Sequence, residues 1–488
     1  MQLPANSIAF PSRILPFLVA ICLLGLFAHT RSVWYHYYLP YFQARSDGTE
    51  HNLHIRHYLR QVIEDHRLSD KTEWTAWRVQ PEFQKAPWKP VTDLSLSFQP
   101  KEPEVADAER HGIAVRGANG LLRLPVREPS PPFDASDFLF AISTTYERLI
   151  ANDRAMLRSW QRWLTRHPYQ ETNGAHIVVL FDQATNEEIL DAEALLHSFG
   201  INGVVYTTNE LLSRATKYYG LMEELHAFGG VLAATSKVPK KWFALIEDDV
   251  FFPSMEYLDL RLQKYDPEDE LYLGIPSSQE DWEEVEGEMN TYGGGVVILS
   301  HKAVERVLSP SCSVPKSSKP PFHGQKWERL VHDCLVNHGD LKMNVIPGNY
   351  SPSLASGRPL ALKQERENQV SLGDAHLVAD ICGESCYMQK YLFRDDWILV
   401  NGVSIRRGSK TRHEERSEPV ALASQIVLQD AGRSNERLSE DGSKWDLIDS
   451  TQIEDGSVWQ AYARKGAVDD KELGVLDSVI ILIWEHGR

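Results

Sequence analysis

Apolar residues arrive along this chain in short bursts, and the spacing within and between the bursts predicts the fold. Phe138 to Ile142, His176 to Phe181, Gly203 to Tyr206, Trp242 to Ile246, Leu271 to Ile275 and Val296 to Leu299 are short runs rich in β-branched and aromatic side chains, the pattern of buried strands. Between them the period changes to that of a helix. Leu149, Ile150, Met156, Leu157, Trp160 and Leu164 share one broad face after Ser143-Thr144-Thr145. Asn186 is placed to cap a helix through Leu196, and Asn209 to Phe228, Lys302 to Leu308 and Gln325 to His338 also read as helical. Regular alternation of strand and helix predicts an α/β domain with a mostly parallel sheet, over residues 135–355. Such sheets bind ligands at the carboxyl ends of their strands.

The pattern changes on either side of this region. After Gly357, Trp397 to Val400, Val458 to Ala463 and Ser478 to Trp484 read as strands separated by the charged linkers Arg406 to Glu418 and Gly432 to Gly442, so residues 356–488 are expected to form a small C-terminal β-rich domain. Residues 31–134, rich in Pro, Arg and acidic side chains, read as a stem with little core of its own. Ile14 to Ala28 carries no charge, which makes residues 14–30 a candidate signal anchor behind a tail of residues 1–13. The run is shorter than the ~20 apolar residues a bilayer needs, so a cleaved signal peptide competes. The aromatic run Val33 to Tyr38 and the thinner early secretory membranes favour the anchor. The expected topology is single-pass, type II, in the Golgi or endoplasmic reticulum membrane, with the large C-terminal part in the lumen.

Composition narrows the partners. With 68 acidic against 51 basic residues the net charge is −17, which excludes a broad basic face for nucleic acid and suits a divalent cation better. A length of 488 residues suggests two folded units with non-globular segments. Of five cysteines, Cys22 lies in the apolar run, leaving Cys312, Cys334, Cys382 and Cys386 to pair in an oxidising compartment. Sequence proximity favours Cys312 with Cys334 and Cys382 with Cys386, with a four-cysteine zinc site as the rival. Asn349-Tyr350-Ser351 is an acceptable glycosylation sequon.

Three segments carry residues suited to chemistry. Glu247-Asp248-Asp249 follows directly on the strand Trp242 to Ile246, and continued extended chain puts Glu247 and Asp249 on the same side, able to share one hard cation. A cation there can bind the two phosphates of a nucleoside diphosphate; an isolated acidic loop of this kind is more often merely solvated. Tyr292-Gly293-Gly294-Gly295 precedes the strand Val296 to Leu299, and successive glycines let backbone come close to a ligand or form a plain turn. The helical segment Lys326 to Cys334 offers Glu328, His332 and Asp333 as bases, and composition does not choose among them.

Together these segments resemble the fringe-like β-1,3-glycosyltransferases, glycosyltransferase family 31, in particular fungal members with a C-terminal extension. The likeness runs through Phe138 to Leu149, Trp242 to Pro253, Leu271 to Gly274, Tyr292 to Ser300, Asp333-Cys334, Cys382-Gly383 and Asp396 to Ile405. The resemblance implies a nucleotide-sugar-binding domain of the GT-A type, a UDP-sugar donor, a glycan or glycoprotein acceptor, manganese, and inversion at the anomeric carbon. By position it implies Asp249 as the direct metal ligand, with Glu247 and Asp248 lining the metal and sugar; the candidate metal site is Glu247 and Asp249, the candidate donor site Ser143, Thr144, Glu247, Asp248, Asp249, Gly293, Gly294, Gly295 and Lys363, and the candidate catalytic residues Glu328 and Asp333. Two departures stand out. Trp327-Glu328 replaces a Gly-Asp pair that carries the expected base, and Leu362-Lys363-Gln364-Glu365 replaces a His-His-Trp segment in which a histidine completes metal coordination. Lys363 then supplies positive charge in place of the ion, or the chain is a non-catalytic sugar-binding relative.

Overall fold

The computed structural model describes residues 49–89, 91–98, 104–107, 120–166, 171–208, 212–236, 239–276, 281–285, 288–309, 326–338, 341–346, 359–364, 370–408, 443–466 and 476–487. Residues 1–70 with 106–118 form one unit, and residues 71–105 with 119–488 form the other. In the first unit, the helix Thr49–Asp65 buries Ile55, Tyr58, Leu59, Val62 and Ile63 at helical spacing.

Among the described residues of the second unit, two large sheets carry the fold. The first contains β1 (Phe138–Thr144), β2 (His176–Asp182), β3 (Asn202–Thr208), β4 (Trp242–Ile246), β5 (Tyr272–Gly274), β6 (Val296–Ser300) and β7 (Met343–Val345), in the order β7-β5-β6-β4-β1-β2-β3. β4, β1, β2 and β3 are mutually parallel, as are β5 and β7, whereas β6 runs antiparallel to both β4 and β5. The order 3-2-1-4 of the first four strands is that of doubly wound nucleotide-binding sheets, with the helices Tyr146–Leu164, Asn186–Ser198 and Arg214–Ser236 as crossovers. The expected α/β class with a mostly parallel sheet is therefore what the chain adopts.

Strand β1 shows why the apolar runs are continuous. Phe138, Phe140 and Ile142 pack with Leu149, Leu157 and Trp160, while Leu139 and Ala141 enter a second core with Tyr218, Leu221, Met222 and Leu225. A strand covered on both faces has no polar side to show in its sequence. The helices begin at local signals. Thr145 Oγ1 accepts from Arg148 N at 3.2 Å, and Thr185, one residue before the expected Asn186, makes a reciprocal cap with Glu188, its amide donating to Glu188 Oε2 at 2.8 Å. The helix expected to begin at Asn209 is described from Arg214 and continues past Phe228 to Ser236.

The second sheet corrects two expectations. Trp397–Val400, Ser404–Arg407, Lys444–Gln452, Val458–Arg464 and Asp477–Trp484 are successive antiparallel neighbours, as a β-rich C-terminal region requires. The next strand comes from the segment read as stem: Lys71–Gln84 runs parallel to Asp477–Trp484, from Thr72 opposite Asp477 to Val79 opposite Trp484. Leu121–Arg127 in turn pairs parallel with it. Asp477–Trp484 is buried at every position and needs a neighbour on both edges, and Lys71–Gln84 provides one while burying Trp74, Ala76 and Val79. A single core joins Leu122, Ile480 and Trp484 to Phe138 and Phe140. The strands Lys71–Gln84 and Leu121–Arg127 are thus part of this sheet rather than stem, and the strands between Trp397 and Trp484 share a core with the α/β region.

Cys382 and Cys386 are joined by a disulfide, as expected, and Cys334 is also disulfide-bonded. Its expected partner, Cys312, lies outside the described residues, as do the anchor at 14–30, the aromatic run Val33 to Tyr38 and the sequon at Asn349. Among the described residues no helix is long and apolar enough to cross a membrane.

Candidate functional site

The acidic residues after β4 do not continue the strand. Val250 N donates to Glu247 O at 3.1 Å, closing a turn, so the expected extended arrangement of Glu247 and Asp249 is replaced by a tighter one. Both ends of the turn are held by backbone. Glu247 N donates to Gly295 O at 3.0 Å, and Gln364 N donates to Asp249 O at 2.9 Å. The two-residue strand Val250–Phe251 then pairs antiparallel with Leu362–Lys363, which sets Lys363 opposite Val250.

Each carboxylate of the turn has its own surroundings. Glu247, buried, receives an ion pair from Arg214 Nη2 at 2.9 Å and a hydrogen bond from Trp327 Nε1 at 3.3 Å on Oε1, and Lys363 Nζ on Oε2. Asp248, also buried, accepts from Thr144 Oγ1 at 2.6 Å on Oδ2 and pairs with Arg148 Nη2 at 3.2 Å on Oδ1. Asp249 Oδ1 is buried without a hydrogen-bond partner. Burial pushes its carboxyl up to about 7, helped by Glu247 and Asp248 and opposed by Lys363. Burial acts upward on Glu247 too, but Arg214 and Lys363 outweigh it and hold that carboxyl below its usual range. The same acids raise Lys363 and Arg214 above their ordinary values against the effect of burial.

The layering of charge follows from exposure. The side chains of Arg148 and Arg214 are 56% and 55% exposed, and those of Asp248 and Glu247 are 3% and 5% exposed. The acids form a floor and the guanidinium groups face solvent. Lys363, 26% exposed, lies between these extremes. A ligand arriving from solvent meets cations.

Glu328 faces the same floor from the helix Trp327–His332. Its carboxylate is buried, Oε2 has no hydrogen-bond partner, and burial, with Glu247 and Asp281 nearby, raises it to about 8. Trp327 fixes this helix by stacking on Tyr218 at 4.3 Å, and Tyr218 OH donates to Ile246 O at 2.8 Å. Asp333, the other catalytic candidate, is 43% exposed and faces His332 at 3.8 Å, so the structure groups Glu328 and not Asp333 with the acidic turn. The reason is helical phase: Asp333 is five residues on, where the helix passes into a π-helical turn, Asp333–His338.

The glycine run serves the protein before any ligand. Gly293 and Gly294 have φ of 109° and 67°, and a Cβ on Gly294 would meet Asp281 Oδ2 at 2.5 Å and Pro276 Cα at 2.8 Å. Ser143, next to Thr144 on β1, is half-buried. Thr144 acts by anchoring Asp248. Arg148, Arg214, Tyr218 and Asp281 were not singled out from sequence, and Trp327 was noted only as a departure from the family pattern. Arg214 and Tyr218 do carry a signal, being one helical turn apart with the guanidinium 5.9 Å from the ring.

A resident divalent ion does not fit these side chains as arranged. Both oxygens of Glu247 and both of Asp248 are engaged, which leaves Asp249, its Oδ1 buried without a partner, as the carboxylate of the turn not already tied to a cation or donor. An ion there would lie beside the Lys363 ammonium, which pairs with Glu247 and is drawn toward Asp249 as well. Among the described residues, one group with three closely set metal-ligating side chains is His226, His301 and Glu305. His226 is twelve residues beyond Arg214 on one helix, about 18 Å along its axis.

No protein-family model matches the chain, and no curated protein matches it. Several solved structures are similar at low identity. Mouse xyloside xylosyltransferase 1 in its apo form is 12% identical, with 48% of this chain and 99% of that one covered and a TM-score of 0.28. An apo glycosyltransferase of Streptococcus pneumoniae is 13% identical over 51% of this chain and 61% of its own, with a TM-score of 0.29. A mannosyltransferase of Pyrobaculum calidifontis, in complex with GDP-Man and Mn2+, is 10% identical over 63% and 79%, with a TM-score of 0.28. Likeness at this level assigns no residue and no substrate.

Proposed function

We propose that the protein is a glycosyltransferase that moves a sugar from a nucleoside diphosphate to an acceptor hydroxyl. The observation that carries this reading is the juxtaposition, at the carboxyl end of β4, of an outward-facing set of cations with a buried carboxylate, Glu328, of raised pKa. In a direct displacement, the acceptor oxygen gives its proton to Glu328 and forms a bond to the anomeric carbon. The bond from that carbon to the diphosphate breaks with inversion. Arg148, Arg214 and Lys363 are placed to take the charge that builds on the departing diphosphate. Asp248 and Glu247 hold the cations in place, and Thr144 and Trp327 hold the acids.

The narrower reading is a fringe-like, family 31 enzyme using a UDP-sugar on a lumenal glycan or glycoprotein, tethered by an N-terminal anchor in the Golgi or endoplasmic reticulum. The motifs from Phe138 to Ile405 and the disulfide Cys382–Cys386 support it. Incubating the purified chain with UDP- and GDP-sugars and following nucleoside diphosphate release tests the activity, and alkaline carbonate extraction of membranes tests the anchor. The close Lys363–Glu247 pair favours a second reading, a sugar-nucleotide-binding protein without turnover. Binding without release in the same assay selects it.

A further inference from the structure

The three carboxylates of the turn, of which Glu247 and Asp249 were expected to hold a metal, are each matched by, or lie beside, a side-chain cation, and the cations are built into the fold. Arg214 opens the long helix before β4 and reaches Glu247. Arg148, in the first turn of the helix after β1, reaches Asp248. Lys363 is the least free of the three, because its backbone is paired with Val250 and the next amide donates to Asp249 O, which keeps its ammonium on Glu247.

A hard divalent ion collects about six oxygen ligands, and the protein must supply carboxylates not already engaged. Here both oxygens of Glu247 and both of Asp248 are engaged, Asp249 Oδ1 is a buried oxygen with no partner, and the neighbouring charge is already positive. A diphosphate needs only donors and positive charge, which guanidinium and ammonium groups supply directly. The two arginines are more than half exposed over buried acids, so their remaining N–H groups face the side from which a ligand enters.

Resting on the donor-binding reading above, we infer that this site binds the diphosphate of its nucleotide without a divalent metal ion, Lys363, Arg214 and Arg148 together taking the metal's place. Lys363 is the central group, since its ammonium occupies the space beside Glu247 and Asp249 that an ion would share. Removing that ammonium frees Glu247 Oε2, so loss of Lys363 exposes a carboxylate pair and turns the site toward metal.

The test is calorimetric titration of UDP, and separately GDP, into the full chain in EDTA and in Mn2+. For wild type, the same dissociation constant within about twofold is expected in both buffers. Lys363→Met is expected to bind roughly 10- to 100-fold more weakly in EDTA, the range for one charge-assisted hydrogen bond, and to regain affinity in Mn2+. Lys363→Arg, which keeps the charge, is expected to lose less and to remain indifferent to Mn2+. Binding by wild type that vanishes in EDTA and returns with Mn2+ overturns the inference and leaves the donor reading standing. Failure of both nucleotides to bind wild type in either buffer overturns both. Neither wild-type result depends on whether a variant folds.

Discussion

Glu328→Gln separates what this carboxylate does for the reaction from what it does to the fold. The wild-type group is buried and raised to about 8, so near pH 7 roughly a tenth of it is ionised and able to accept a proton. Transfer is therefore expected to climb about tenfold from pH 7 to a plateau above 8, and Gln at this position should lower it by roughly 10²–10⁴ and flatten the profile. The same shift has a stability cost of opposite sense. The folded pKa lies above the unfolded value of 4.5, so the folded state holds the proton more tightly. The stability this gives is fully present below pH 4.5 and is lost as pH rises toward 8. By pH 7 the loss from this one group is on the order of 3 kcal/mol. Gln carries no charge to lose, so the variant should melt a few degrees higher than wild type at pH 8 and nearly together with it at pH 5. Initial rates across pH 5.5–9 and thermal melts at the two pH values are the assays. A flat wild-type rate profile, or a melting difference that is the same at pH 5 and pH 8, refutes the reasoning.

Three further outcomes follow from the fold and site. A chain beginning at residue 135 should be insoluble while one beginning at residue 71 is soluble, because only the latter keeps Lys71–Gln84 against Asp477–Trp484; expression and size-exclusion profiles decide. Gly294→Ala should destabilise by roughly 1–3 kcal/mol in a denaturant melt, since it combines a φ of 67° with a Cβ placed 2.5 Å from Asp281 Oδ2. Non-reducing peptide mapping should find Cys382 linked to Cys386, and replacing both by Ser should cost about 2 kcal/mol, the loop between them being short.

The central sheet was legible because its strands are covered on both faces. Trp242 to Ile246 has no polar position to blur its limits, and its observed bounds match the expected ones. Lys71–Gln84 was not legible: it mixes Lys, Glu, Arg and Gln with Trp and contains Pro81, and what makes it a strand is a partner about four hundred residues away. The acidic turn and Glu328 could be found from residue type and position after a strand. The two arginines could not, because Arg148 and Arg214 come from separate elements and only the folded sheet brings them to one place with Lys363. Lys363 was noticed as a departure from a family pattern. Its pairing with Glu247 is what gives that departure a physical meaning.

The claim that this is a sugar-nucleotide transferase is tested most directly by nucleoside diphosphate release. A panel of UDP- and GDP-sugars is given to the purified chain, with and without simple glycoside acceptors, and the release is compared with that of Arg214→Ala and Glu328→Gln. At least one donor is expected to be consumed faster with acceptor present. Arg214→Ala should weaken use of that donor, and Glu328→Gln should leave donor binding intact while removing most of the turnover. Absence of binding and of release for every donor, by protein whose melting is cooperative, contradicts the account.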